Sequence, residues 1–278
     1  MVDIIFWYVF FSIFIFGLII GSFLNCLIWR AHVNESALAG RSYCPKCRHE
    51  LSWIDLVPVF SFLFLKGRCR YCSGTISWQY PAVELVTSGL FLAVAFRFFP
   101  QIFSGEISLF SLLNLTAYWG IIAALVVIFV ADLRWYFIPD GAVIFGLAAA
   151  VFLRVAVFFQ DAHFLRRYDM QTLADPLLSA MLAGAFFLAI FLVSRGRWIG
   201  FGDVKYAFFM GIVLGFPGIL VGLFMANFFG AIIGSGLIAA KKKKMSSEIP
   251  FGPFLVGGTL VAMFFSQAIF DWYITINF

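Results

Sequence analysis

Apolar runs of about 20 residues recur along this chain, and they constrain its fold more than any other feature. A run of that length crosses the hydrocarbon core of a bilayer as a helix. Only helices and closed barrels satisfy their backbone polar groups there. Of the 278 residues, 63% are hydrophobic and 12% are charged, about half the charge of an ordinary soluble domain. The sequence therefore predicts an all-α polytopic membrane protein.

About eight transmembrane helices are predicted. They are expected at residues 4–28, 82–99, 109–131, 138–159, 176–193, 203–215, 219–240 and 250–274. The first is too long for a signal-peptide core and has no basic region before it, so we expect it to be retained. Its Gly17 and Gly21 suit close packing against another helix, although 24 glycines make a chance pair easy. The sixth is short, which suggests a tilted or partly embedded helix.

Lysine and arginine are concentrated in particular loops, and this pattern predicts the orientation. The loop at 30–80 has seven basic residues against three acidic ones, Arg195 and Arg197 follow the fifth span, and four lysines occupy 241–244. Cytoplasmic loops carry such an excess, so these three loops are expected inside and both termini outside. The net charge of +5 is thus interpreted as topology information and not as a nucleic-acid footprint.

The loop at 30–80 contains two CxxC pairs, Cys44 with Cys47 and Cys69 with Cys72. Four thiolates form the tetrahedral site that structural zinc prefers, and the spacing agrees within a residue with a known zinc pattern. Two disulfides are the alternative, but a reducing cytoplasm opposes them. We predict one structural zinc ion that supplies much of the folding free energy of a loop with little core. His49 is a competing ligand, though four cysteines suffice.

Two aspartates lie at the ends of apolar runs. Asp132 follows the run at 123–131, and Asp203 begins another behind Gly200 and Gly202. Ionisable groups at membrane depth usually face a protein interior or a wet cavity and carry function. Each aspartate alone can instead cap a helix at the membrane surface. Together they suggest a paired-carboxylate site, which hydrolyses an amide by using one group as general base and the other as general acid.

Three further polar residues leave alternatives open. Asp140 follows a helix-breaking proline, so capping of the fourth span is favoured over direct catalysis. Lys205 is placed either to hold Asp203 ionised or to extend toward the membrane interface. Glu84, near the inner end of the second span, can pair with a loop arginine or contact substrate. The sequence contains neither a G-x-S-x-G nor an H-E-x-x-H pattern, which leaves the aspartates as the main candidates.

Eight segments along the chain resemble the bacterial type IV prepilin peptidases, bifunctional leader peptidase/N-methyltransferases of type IV pilus and type II secretion systems. Each motif alone is weak evidence, but together and in this order they are specific. They are GSFLN at 21–25, the two CxxC pairs, SWID at 52–55, YPAVE at 80–84, Asp132 through IPD at 138–140, GFGDVK at 200–205 and PFGPF at 250–254.

The resemblance implies a GxGD aspartic endopeptidase with Asp132 and Asp203 as its catalytic pair. It implies removal of the basic leader of type IV prepilins or pseudopilins after a glycine, at the cytoplasmic face of the inner membrane. It also implies N-methylation of the new amino terminus from S-adenosylmethionine. Residues 1–29 would then be the first span, 30–80 a methyltransferase-associated zinc loop and 81–278 the membrane-embedded peptidase domain. Prepilins and the lipid bilayer are the expected partners; nucleic acid is not.

Two other classes of protein remain open at this point. A transporter could use buried aspartates to relay protons or bind cations, although the internal repeats typical of transporters are not evident. A non-catalytic assembly factor could use the zinc loop for docking. The residues themselves do not predict methylation, since no Rossmann-type glycine-rich fingerprint is present.

Overall fold

The computed structural model describes residues 2–36, 39–165, 169–240 and 249–277. Across these residues the regular elements are helices, with two isolated antiparallel bridges in the cysteine loop. The all-α prediction is therefore confirmed. In chain order the α-helices are α1 (Val2–His32), α2 (Phe60–Phe64), α3 (Gln79–Phe98), α4 (Leu109–Trp135), α5 (Asp140–Leu165), α6 (Gln171–Ser194), α7 (Phe201–Leu214), α8 (Gly218–Ala239) and α9 (Gly252–Asn277), with 3₁₀ turns at Trp53–Leu56 and Pro100–Ser104.

Seven of the described helices are long and apolar enough to cross a membrane, namely α1, α3, α4, α5, α6, α8 and α9. They coincide with seven of the eight predicted spans, and the chain is a multi-pass membrane protein. The remaining predicted span, at 203–215, corresponds to α7. That helix has 14 residues, about 21 Å of length against a hydrocarbon core of about 30 Å. The four lysines at 241–244, used to predict orientation, lie outside the described residues.

The chain divides into two compact units, Met1–Val127 and Ile128–Phe278. In the first unit α1 packs closely on α3. A Cβ atom on Gly17 would lie 2.5 Å from the Cα of Ser88, and one on Gly21 would lie 2.6 Å from the Cα of Glu84. The predicted close approach at both glycines is thus confirmed. The Ser88 hydroxyl, which donates to the carbonyl of Phe14 at 2.7 Å, adds a polar bond between the two helices.

In the second unit the short helix α7 is enclosed by longer ones. A Cβ on Gly211 would lie 2.3 Å from the Cα of Ala180 in α6, so the two backbones nearly touch there. Tyr206 of α7 is fully buried, and its hydroxyl shares a 2.8 Å hydrogen bond with Thr259 of α9. A buried polar pair of this kind fixes the relative position of two helices. Tyr206 lies one helical turn after Asp203, so this hydrogen bond supports the amino-terminal end of α7.

Arg154 of α5 holds the other end of α7. Its Nε donates to the carbonyl of Ile212 at 3.0 Å, and its guanidinium also contacts the carbonyl of Val213. The last carbonyls of a helix have no partner within the helix, and cations near them are stabilising. A charge within a span usually indicates function, but here its contacts explain it as a cap for α7. The sequence alone does not predict this role, since Arg154 and its acceptors are 58 and 59 positions apart.

Candidate active site and candidate metal centre

Asp132 lies in the last turn of α4 and is buried, with 6% of its surface exposed. Its Oδ2 accepts a hydrogen bond from the backbone N–H of Gly252, the first residue of α9, at 2.8 Å. A Cβ atom on Gly252 would lie only 2.6 Å from that same oxygen. The carboxylate therefore occupies the space that a side chain at 252 would need. Only glycine at 252 permits this contact without displacement.

Asp203 lies in the first turn of α7 and is also buried. Its Oδ2 accepts from the N–H of Gly200 at 3.0 Å, so the capping interpretation describes a real bond. It is not the whole description, because Asp203 also interacts electrostatically with Asp132. Each carboxylate thus lies at the amino terminus of a helix, that of α9 for Asp132 and that of α7 for Asp203. Exposed N–H groups at such a position attract negative charge. The two predicted aspartates are therefore near enough to interact electrostatically; their catalytic roles stay a prediction.

The two glycines before Asp203 have different surroundings. A Cβ on Gly202 would lie 3.2 Å from the Cβ of Ile138, so this glycine lets α7 approach the segment before α5. A Cβ on Gly200 would lie 3.6 Å from the Asp203 carboxylate, an ordinary contact, and the φ of Gly200 is −79°. The backbone N–H of Gly200 holds the aspartate, but its lack of a side chain is not sterically required.

Lys205 forms an ion pair with Asp140, the first residue of α5. Its ammonium also lies 5.4 Å from the centre of the Phe201 ring. The Asp140 side chain is 68% exposed, so water screens this pair and its contribution is modest. In the structure the Lys205 ammonium therefore pairs with the Asp140 carboxylate. This ion pair connects the first turn of α5 to the first turn of α7.

Gly252 is the residue at this site that sequence reasoning missed. It belongs to the PFGPF segment that carried part of the family resemblance, yet only its place in a motif was noted. A glycine directly before a proline at the start of an apolar run is a recognisable helix entry. Nothing in the sequence indicated that its N–H would meet an aspartate 120 positions away.

The four cysteines of the loop are brought together as predicted. One sulfur from each lies within 4.8 Å of all the others, and the Sγ atoms of Cys44 and Cys72 are 4.0 Å apart. Around zinc, with Zn–S bonds of about 2.3 Å, tetrahedral geometry places sulfurs about 3.8 Å apart. The donor set and its spacing therefore fit a zinc ion held by Cys44, Cys47, Cys69 and Cys72.

The two cysteine pairs have the same backbone conformation. Tyr43 bridges to Glu50 around the first pair, and Arg68 bridges to Thr75 around the second. The residue directly after each pair has a positive φ, 57° at Arg48 and 55° at Ser73. Residues 43–50 and 68–75 are therefore two copies of one zinc knuckle. This repeat is not evident from the sequence, because the copies are eight residues long and share little besides cysteine.

The backbone of the first knuckle favours a thiolate. Burial raises the pKa of Cys44, but hydrogen bonds from the backbone of Cys47 and Lys46, together with those from the side chains of Cys47 and Cys69, outweigh it and lower the pKa to about 7. The backbone of Gly74 lowers the pKa of Cys72, whereas burial and the other three cysteines raise it to about 11. Four crowded sulfurs resist full ionisation unless a cation compensates their charge, and a zinc ion supplies that charge.

Glu84 of α3 is buried, and its Oε2 accepts from the backbone N–H of Val59 at 2.7 Å. Within the described part of the chain it forms no ion pair with an arginine. The loop arginine Arg70 instead pairs with Asp55, whose side chain is 3% exposed, at 2.7 Å. Glu84 thus supports the backbone of the loop, and a role in contacting substrate stays a prediction.

Two family models match the chain. Residues 15–98 match the family described as Bacterial Peptidase A24 N-terminal domain, and residues 119–235 match the Type IV leader peptidase family. No solved structure matches the chain significantly. These matches give no support to the alternative that the protein is a transporter.

Curated relatives extend the similarity to nearly the whole chain. The prepilin leader peptidase/N-methyltransferase of Bacillus subtilis is 33% identical over 262 residues, covering 94% of this chain and 96% of that protein. The proteins of the same name from Aeromonas salmonicida and Legionella pneumophila are each 29% identical, and they cover 97% and 96% of this chain and 95% of their own length. This chain therefore belongs to the type IV leader peptidase family.

Proposed function

We propose that this protein is a membrane aspartic endopeptidase in which Asp132 and Asp203 act together. It removes the leader of type IV prepilins or pseudopilins after a glycine and then N-methylates the new amino terminus with S-adenosylmethionine. Family membership supports prepilin processing and methylation. The observation that carries the catalytic assignment is the buried pair of carboxylates, each held by one backbone N–H at a helix start.

The arrangement suits general acid–base hydrolysis. Two neighbouring carboxylates do not both ionise readily, so they share one proton. The ionised group takes a proton from water as that water attacks the scissile carbonyl, and the protonated group donates to the carbonyl oxygen. Gly200 and Gly252 fix one oxygen of each aspartate and thereby orient its carboxylate. The ends of α4, α7 and α9 supply this site.

The cysteine loop would hold zinc as a structural ion. Its four thiolates complete the coordination shell, and a closed shell of this kind leaves no position for substrate. The ion would stabilise the loop because the two knuckles have little apolar core of their own. We therefore assign no step of the peptidase reaction to the metal centre.

Mass analysis of a co-expressed prepilin tests the peptidase proposal. Asp132→Asn and Asp203→Asn should each lower leader removal by about 100-fold or more, because each carboxylate has its own proton-transfer role. Asp271→Asn is the matched control, since Asp271 is an exposed aspartate of α9. It should process normally. Near-normal processing by either active-site variant would exclude the paired mechanism.

We also propose that the active site faces the cytoplasm of the inner membrane. The basic loop at 30–80 supports this orientation, and the basic leader of a substrate stays on the same side by the same rule. Single cysteines at Ser36 and Ser104 test it, because both residues are exposed. A membrane-impermeant thiol reagent should label Ser104→Cys from outside the cell and Ser36→Cys only after lysis. Labelling of the Ser36 site in intact cells would reverse the orientation.

A further inference from the structure

Large apolar side chains are exposed in the part of the loop that lies between the two knuckles. Phe64, at 82%, has the largest exposed fraction of any large hydrophobic residue that the structure describes. The full set, here called the apolar loop face, comprises Trp53, Ile54, Leu56, Phe60, Leu63 and Phe64. Exposed apolar surfaces of this kind usually bind a protein or a membrane.

The short helix α2 gives this face a defined orientation. Its three members at positions 60, 63 and 64 have the spacing of one side of a helix. Phe62 lies on the other side; it is buried, and its ring centre is 4.8 Å from that of Trp78. The same helix contacts the 3₁₀ turn at Trp53–Leu56. The exposed side chains therefore belong to a folded element whose opposite side packs on protein.

Contacts with the two spans of the first unit show how deep this element lies. Glu84 of α3 accepts the N–H of Val59, the residue directly before α2, at 2.7 Å. A Cβ on Gly21 would lie 2.6 Å from the Cα of Glu84, so the two residues are level in the packed helices. Gly21 is seven residues before Ile28, where the apolar run of α1 ends, or about 10 Å along the helix. The start of α2 thus lies within one glutamate side chain of a level inside the apolar run.

Trp78 gives an independent measure of the same position. It directly precedes α3, whose apolar span begins at Gln79, and it is 72% exposed although its ring contacts that of Phe62. Tryptophan is enriched where a span meets the headgroup layer of a bilayer. Because α2 packs on this residue, α2 lies beside the boundary of a span and not in the water beyond it.

Basic side chains flank the apolar loop face. Lys66 and Arg68 follow α2 closely and are exposed, and neither forms an ion pair with a residue that the structure describes. The acidic groups nearby are already paired, since Asp55 binds Arg70 and Glu50 binds Arg41. An exposed positive charge beside an exposed apolar surface is the pattern of a segment that lies in a membrane interface.

We infer that the apolar loop face inserts into the lipid bilayer beside α3, and that Lys66 and Arg68 bind the phosphate groups of anionic phospholipids. The loop is then anchored to the membrane surface between its two cysteine knuckles. The depth of α2 favours lipid over a water-soluble partner. This inference requires neither the peptidase nor the methyltransferase activity. Only the choice of the cytoplasmic leaflet rests on the proposed orientation, which the labelling of single cysteines tests separately.

Photochemical cross-linking of lipid to the wild-type protein tests the contact and needs no variant. The protein is placed in phospholipid nanodiscs that contain a phosphatidylcholine with a diazirine on one acyl chain. Peptides that cover residues 53–64 should be labelled along with the spans, whereas the knuckles at 43–50 and 68–75 should not. Labelled spans with unlabelled 53–64 would overturn the inference. Cross-links from 53–64 to a second copy or to co-reconstituted prepilin, in place of lipid, would also overturn it and identify a protein interface.

A charge on the exposed side of α2 should weaken the insertion. Phe64→Glu should lower lipid labelling of residues 53–64 by about fivefold or more, because an apolar side chain loses its transfer into lipid. Phe64→Trp keeps an aromatic group suited to the interface and should be labelled as wild type is. Ser36→Glu is the matched control, since it adds the same charge at an exposed position outside the face. Unchanged labelling in Phe64→Glu, or an equal loss in Ser36→Glu, would exclude α2 as the anchor.

Amide hydrogen exchange in nanodiscs of different composition tests the headgroup contact. Adding phosphatidylglycerol to phosphatidylcholine should slow exchange at residues 60–70 by about threefold, and high salt should remove the difference. Lys66→Gln/Arg68→Gln should also abolish it. Arg41→Gln/Arg48→Gln is the control, because it removes two charges from exposed residues of the first knuckle, and it should respond as wild type does. Equal exchange in the two lipids, or an equal loss in both double variants, would overturn the assignment of Lys66 and Arg68.

Discussion

The aspartate site and the cysteine loop are organised by opposite means. At the aspartates, backbone N–H groups of glycines hold the functional side chains, and packed helices hold the glycines. In the loop, functional side chains would hold the backbone, because the four clustered sulfurs are placed to bind one ion that would replace an apolar core. The first site should therefore fail when Gly252, whose missing side chain leaves room for Asp132, gains a methyl group. The second should fail when a ligand or the ion is removed.

Replacement of Gly252 should produce the largest loss of leader removal, and it tests the contrast between the two regions most directly. A Cβ at 252 would lie 2.6 Å from Asp132 Oδ2, so Gly252→Ala must displace the carboxylate or α9. Because small misplacements of catalytic groups have large effects, leader removal should fall by about 100-fold. Gly200→Ala is the matched control, since its Cβ has ordinary space, and it should retain activity within about threefold. An equal loss of leader removal in both variants would mean that steric conflict at position 252 does not cause the loss.

Loss of the metal should separate the two regions. Cys44→Ser/Cys69→Ser removes one ligand from each knuckle, and we expect about one zinc per wild-type chain and none in this variant. The exposed loop should become sensitive to proteases, while the aspartates keep their helix-end contacts. Metal analysis and limited proteolysis of the same samples provide the readouts. A variant that retains zinc would show that these cysteines are not its ligands.

The pair of Lys205 and Asp140 should produce a smaller effect. It joins α5 to α7 beside Asp203 but is partly exposed, so its loss should lower leader removal by only a few-fold. Lys205→Met keeps most of the side-chain bulk, and Asp140→Asn keeps the shape of its partner. If the ion pair is the relevant contact, the double variant should be no worse than either single variant. An effect as large as that of Asp203→Asn would instead give Lys205 a direct role in catalysis.

The long helices were predictable because each corresponds to a continuous apolar run in the sequence. The close helix packing at Gly17 and Gly21 could be predicted from their spacing alone. The CxxC pattern likewise indicates which cysteines lie close together. Gly252 and Arg154 could not be assigned in this way, because their partners lie far away in sequence and only packing selects them. Val59 is a further case. Its φ is 60° and its ψ is −50°, and the Phe60 N–H donates to the Pro58 carbonyl at 2.6 Å, which closes a γ-turn that a β-branched residue does not predict. It forms where Glu84 of α3 accepts its N–H, a contact between residues 25 positions apart that no local pattern indicates.

The last expected effect is on the local stability of the loop and not on catalysis, and it concerns Asp55, a carboxylate held by hydrogen bonds as Asp132 and Asp203 are. Asp55 is buried in the loop; burial raises its pKa, but bonds from Arg70, Ser52 and Tyr71 lower it below its usual value overall. A carboxyl group whose folded pKa is lowered stabilises the fold above its unfolded pKa, and this stabilisation is lost as the pH falls through the folded pKa. Asp55→Asn should therefore speed amide hydrogen exchange in residues 52–71 by about threefold to tenfold at pH 6.

The difference between the two proteins should shrink as the pH falls below about 4, the usual value for aspartate. Comparing them at one pH cancels the intrinsic dependence of exchange on pH. Glu50→Gln is the control, because Glu50 pairs with Arg41 where both side chains are mostly exposed, and such pairs contribute little. If Glu50→Gln had the same effect as Asp55→Asn, charge alone would stabilise the loop. The contrast between a buried, backbone-held carboxylate and a surface one would then not apply here, and zinc would remain as the one element that orders this region.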